Sequence, residues 1–129
     1  MSSTPSDPQA EAAHPLGERG PVLLDLLSYI YLENDRPEKA AVLLAALDEL
    51  GLANARQRIS LALAQLRSGK PETALGTLDR VALQGGLTSA FHLVRAQTLV
   101  ALGRETEAEA AMRAYMDLRA QQAALVDPR

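Results

Sequence analysis

Two histidines and no cysteine set narrow limits on the chemistry open to this chain. Without a thiol there is no disulfide, no thiolate metal ligand and no cysteine nucleophile. His14 lies in a stretch with almost nothing apolar around it. His92 sits among Phe91, Leu93 and Val94, with no acid three residues before it and no second histidine four residues away. A metal ion held on a helix needs such partners, so His92 reads as a structural or surface residue. The serines lack a strand-to-helix elbow, and Gly85-Gly86 reads as a turn between helices rather than a phosphate cradle, because no strand precedes it. No catalytic residue, no metal site and no cofactor are expected. What remains is recognition through a surface.

Charge says something about the partner. The net charge of −3 is too small to point to nucleic acid or an anionic membrane. Within the chain, however, no acid falls between Glu49 and Glu72, while Arg56, Arg58, Arg67 and Lys70 all do. These four could steer an acidic segment of a partner protein; an ordinary solvated face accounts for them equally well. Glu105, Glu107 and Glu109 fall in the first turns of a helix, where they complement the helix dipole without any partner. No stretch of about 20 apolar residues occurs, so no membrane insertion is expected. Residues 1–20 carry neither a basic start nor an apolar run, which argues against a secretory signal and for a cytoplasmic location.

The elements that must carry such a surface announce themselves by repetition. Asp35-Arg-Pro-Glu-Lys-Ala40 returns as Gly69-Lys-Pro-Glu-Thr-Ala74 and again as Gly103-Arg-Glu-Thr-Glu-Ala108, and Leu44, Leu78 and Met112 follow in step, as do Leu47, Val81 and Tyr115. A period of 34 residues is that of paired helices. Of the 129 residues 47% are apolar, yet only three tyrosines and one phenylalanine are aromatic, so the core must be built of Leu and Ala, which are also strong helix formers. Residues 1–20, with Pro5, Pro8 and Pro15, read as a disordered leader. Helices are expected over about 22–32, 37–50, 55–68, 71–83, 89–102 and from Glu105 past Ala120, with a frayed tail at 125–129. Asp35 fits an N-cap with Glu38 as its capping-box partner; Asn54 and either Thr88 or Ser89 fit two further N-caps. Ala40, Ala74 and Ala108 let the second helix of each pair approach the first, and glycines make the turns.

Across about 100 positions these residues resemble a tetratricopeptide domain, with repeats at 21–54, 55–88 and 89–122. The resemblance implies an all-α fold of three helix hairpins stacked as a short right-handed solenoid over residues 21–124. Arg58, Gln65, His92 and Arg95 depart from the family pattern: either helices three and five are rotated or shifted, or the polar heads reach solvent over apolar stems. In this family the first helices line a concave face, which here implies a largely apolar groove of Val22, Asp25, Tyr29, Leu32, Ile59, Leu63, Leu66, Leu93, Gln97 and Val100. The alternative is that some of these pack internally. At the positions where heat-shock co-chaperones grip acidic tails, this chain has Asp25, Tyr29, Ser60, Ala90 and Val94, none of which suits a carboxylate.

From Leu26 to Leu118 the sequence looks most like the YscY/SctY type of bacterial type III secretion chaperone, chiefly through Ala40-Ala-Val-Leu-Leu-Ala-Ala-Leu47, Arg95-Ala-Gln97 and Ala114-Tyr-Met-Asp-Leu118. The resemblance implies a non-catalytic protein that holds a small secreted partner of the YscX/SctX type and docks on an export-gate component. A general cytoplasmic scaffold, or a chaperone for translocator or needle subunits, is the alternative. Three repeats are about the minimum for a stable stack, and no separate capping helix is evident. The chain is therefore expected to be marginally stable alone, and to gain stability from a bound partner or from a homodimer when no client is present.

Overall fold

The 34-residue echo persists in the backbone. The computed structural model describes residues 19–126, and among them every regular element is an α-helix. They are α1 (Gly20–Glu33), α2 (Pro37–Glu49), α3 (Ala55–Arg67), α4 (Pro71–Leu83), α5 (Ser89–Ala101) and α6 (Glu105–Val126). α1 begins inside the stretch expected to be leader, and α6 reaches into the one expected to fray. Residues 1–18 and 127–129, which include His14, lie outside the described part. No helix among the described residues is long and apolar enough to cross a membrane.

Four of the helices start for a local reason that the sequence carries. At α3, the Asn54 side chain accepts from the Gln57 backbone N–H at 2.8 Å, and the Gln57 side chain accepts from the Asn54 N–H at 2.9 Å, a reciprocal capping box. At α5, the Thr88 hydroxyl accepts from the Phe91 N–H. α2 and α4 have no side-chain cap and open on Pro37 and Pro71, whose fixed φ suits a first turn. Asp35 is therefore not the expected N-cap. It has φ 57°, at the register where Gly69 and Gly103 have φ 80° and 74°. That position needs a left-handed residue, which glycine adopts freely and Asp adopts at a cost. The Asp35 carboxylate turns instead to Arg67, 3.2 Å away.

The helices pack as three hairpins, α1 with α2, α3 with α4 and α5 with α6. α3 also lies on α2, and α5 on α4 and α3. Ala40 and Ala74 have no exposed surface, so the close approach expected at these alanines is present. One cluster joins Leu44 and Leu47 of α2 to Leu61 of α3; a second joins Leu78 and Val81 of α4 to Phe91 and Val94 of α5. The four polar departures from the repeat pattern each find a partner. Arg58 bonds Asp48 and Gln84, Gln65 accepts from Thr77, Arg95 pairs with Asp79, and the His92 ring meets Phe91 edge-on at 5.1 Å. Among the described residues no buried side-chain polar atom lacks a partner, as a native interior requires.

Candidate partner-binding face

Helical spacing puts the proposed groove residues on single faces: Val22, Asp25 and Tyr29 on α1; Ile59, Leu63 and Leu66 on α3; Leu93, Gln97 and Val100 on α5. The link between α1 and α3 is polar, with Arg56 donating to the Asp25 carboxylate at 2.8 Å. Val22, Tyr29, Gln97 and Val100 stand exposed; Asp25, Leu32, Leu63, Leu66 and Leu93 are half-buried. Ile59 departs from the expectation of an open groove. It is only 6% exposed and belongs to the core cluster of Leu78, Val81, Phe91 and Val94, with Leu63 and Leu66 packed against it. The reason is that α5 packs on α3 as well as on α4, and its Phe91 and Val94 join the cluster that holds Ile59.

The basic residues are mostly not free to steer a partner. Arg56 is taken by Asp25, Arg67 by Asp35, and Arg58 by Asp48 and Gln84. The partners of Arg56 and Arg67 lie 31 and 32 residues away in sequence, which is why a reading of the local charge run overlooks them. Lys70 lies beside Glu38 and Thr73 at the edge of a shallow hollow between α2 and α4.

Four titratable groups are shifted among the described residues: Arg104 and Glu107, an exposed pair whose mutual hydrogen bonds favour both charged forms, and the half-buried Asp48 and His92. Burial alone would raise the Asp48 carboxyl, but hydrogen bonds from Arg58 (2.8 Å) and Arg80 (2.9 Å), and the charge of both, outweigh it and hold the group below the usual carboxylate range. Burial, and then the nearby Arg95 charge, lower His92 and favour its neutral form. The Asp48 arrangement ties α2 to α3 and α4. Among the described residues no cluster of three or more His, Asp or Glu converges in a way that could hold a metal ion.

One part of the face escaped the sequence reading. Gln97 and Val100 of α5 meet Ala108 and Met112 of α6 around an open, largely apolar cleft of about 320 Å³, with Glu105 and Glu109 at its rim. The signal was present in the series Leu44, Leu78, Met112. The third repeat substitutes a flexible side chain able to fit irregular partners where the first two carry a branched one. No protein-family model, curated protein or solved structure matches this chain.

Proposed function

We propose that this chain is a non-catalytic binding protein, its three hairpins arranged as a tetratricopeptide-like right-handed solenoid that holds a helical segment of another protein. The observation that carries this reading is the row of exposed apolar side chains on the first helices. Val22 and Tyr29 on α1 and Val100 on α5 are 71, 62 and 65% exposed, and between them Leu63, Leu66 and Leu93 are half-buried. A grouped set of exposed apolar residues on such a small domain marks an interaction site. An amphipathic helix, with anchors three and four residues apart, fits a groove of that kind.

The narrower reading rests on the sequence resemblance from Leu26 to Leu118. It makes the chain a type III secretion chaperone that covers a small secreted protein of the YscX/SctX type in the bacterial cytoplasm and delivers it to the export gate. A tagged pull-down from the native cytoplasm tests both levels. A small secreted protein recovered in near-equal amount, with an export-gate component beside it, supports the chaperone. Several unrelated proteins at low occupancy support a general scaffold instead.

Tyr29→Glu and Val100→Glu sharpen the test. Both side chains project to solvent, so helicity should be retained while partner recovery falls about tenfold or more, as for anchors of a binding face. Leu63→Glu is a poorer probe, because Leu63 packs on the core cluster. Unchanged recovery with Tyr29→Glu and Val100→Glu would remove the first-helix face from consideration.

A further inference from the structure

The two ends of the row of hairpins expose opposite halves of one contact. Inside the chain, each hairpin is covered by the first helix of the next. Leu61 of α3 packs on Leu44 and Leu47 of α2, and Phe91 and Val94 of α5 pack on Leu78 and Val81 of α4. Two periods before Phe91, Val94 and Thr98 stand Leu23, Leu26 and Ile30 of α1. The α5 residues are 2, 6 and 0% exposed, their α1 counterparts 55, 54 and 42%. Among the described residues, α1 is thus a covering helix with no hairpin beneath it.

At the other end the relation is reversed. Met112 of α6 is 39% exposed, where Leu44 and Leu78 at the same register are 1 and 0%. The cleft beside Met112 lies on the side of α5–α6 that, one hairpin earlier, the next first helix occupies.

From these two ends we infer that a second copy of this chain docks head to tail, with α1 of one molecule covering the α5–α6 face of the next. Charge at the joint agrees. Within the chain, Arg56 of α3 meets Asp25 of α1, and Arg58 of α3 meets Asp48 of α2. At the joint between copies the same register positions carry Val22 against Leu93, and Leu24 against Met116. The ion pairs of the inner joint are thus replaced by apolar pairs, and no carboxylate or guanidinium at these positions is left buried alone, which would be costly. Arg113, at the register of Asp79, is exposed, and Glu105 and Glu109 at the rim of the cleft are exposed too. Such a contact joins different surfaces on the two partners. It therefore propagates into short chains of molecules rather than closing as a two-fold dimer.

Sedimentation of the purified full chain over a wide concentration range tests this without any client. The weight-average mass should rise steadily above that of one chain. Leu26→Glu disables the covering helix and Met112→Glu the covered face. Both residues are exposed, and circular dichroism checks that each variant keeps its helices. Each variant alone should stay at the mass of one chain. An equimolar mixture should form a species of two chains and nothing larger, because the first variant keeps an intact α5–α6 face and the second an intact α1. Wild type remaining at one chain throughout would overturn the inference and leave the ends to a foreign helix. Association that Met112→Glu leaves untouched would also overturn it, pointing to a two-fold contact of α1 with itself. A mixture that stays at the mass of one chain would overturn it as well.

Discussion

Asp48 stands where three helices meet. Its side chain, on α2 and 11% exposed, accepts from Arg58 of α3 and Arg80 of α4. Because the folded carboxyl is held below its ordinary value of 3.8, its contribution to stability is present above that pH and is lost as pH falls through the folded value. Asp48→Asn keeps the shape and removes the charge. It should cost about 1–3 kcal/mol at neutral pH, since the two donors lose an ionised acceptor and Arg80 can turn to water. It should also flatten the fall in stability below about pH 4. Urea unfolding at a series of pH values reads both effects; an unchanged acid limb would assign the acid sensitivity to other carboxylates. His92 works in the same direction at higher pH. Its folded form resists protonation, so stability should decline as pH falls below its ordinary value of 6.5. Two glycines give opposite expectations. A Cβ on Gly86 would lie 2.7 Å from Val81 Cγ1 and 3.2 Å from the Ala55 Cβ, whereas one on Gly76 would meet nothing within 4 Å. Gly86→Ala should lower stability by about 1–3 kcal/mol through overpacking. Gly76→Ala, within α4, should raise it by about 0.5–1 kcal/mol through chain entropy. Thermal melts of the two variants should move in opposite directions.

At the scale of elements, period and composition sufficed to locate six helices, because the turn residues repeat as faithfully as the apolar ones. The left-handed residues fall at Asp35, Gly69 and Gly103 and again at Gly51 and Gly85. Asp35 was misread because an acid before Pro37 and Glu38 imitates a cap, and only the backbone shows that the register demands a left-handed residue there. Charge pairing was the least legible feature. A run of four cations free of local acids looks like a patch, yet three of them reach acids of the first hairpin, Asp25, Asp48 and Asp35 in its turn. On α3, Leu63 and Leu66 are half-buried against the same cluster that buries Ile59. Whether a residue on a covered helix is open depends on how far the next helix closes, and helical periodicity carries no information on that. α6 is 22 residues long where α2 to α5 have 13 each, and nearly all of its last two turns is exposed. An overhang of this kind adds little to the core.

For the molecule as a whole, stability should follow the order of the hairpins, since each one packs on its neighbours along the row and the middle hairpin belongs to both joints. Ala74 and Ala108 occupy the same register in α4 and α6 and differ in what lies above them. Ala74 is fully buried in the cluster that includes Phe91 and Val94 of α5. Ala108, 5% exposed, borders the open cleft beside Met112. A glutamate at position 74 would hold an unpaired carboxylate under α5, costing about 3–5 kcal/mol, and it would loosen both joints at once. A domain this small has a total stability toward the low end of about 5–15 kcal/mol, so Ala74→Glu should abolish the cooperative unfolding transition and most of the helical signal. At position 108 the same side chain can extend through the cleft into water, and the damage should be confined to the last hairpin at about 1–2 kcal/mol. Circular dichroism melts at low protein concentration, where no second copy covers α6, should therefore show a folded Ala108→Glu protein with a modestly lowered midpoint beside an Ala74→Glu protein without a transition. Equal damage from both substitutions would mean that the α5–α6 end is as fully covered as the middle of the molecule. Little damage from Ala74→Glu would mean that the hairpins do not pack in the order the repeat prescribes.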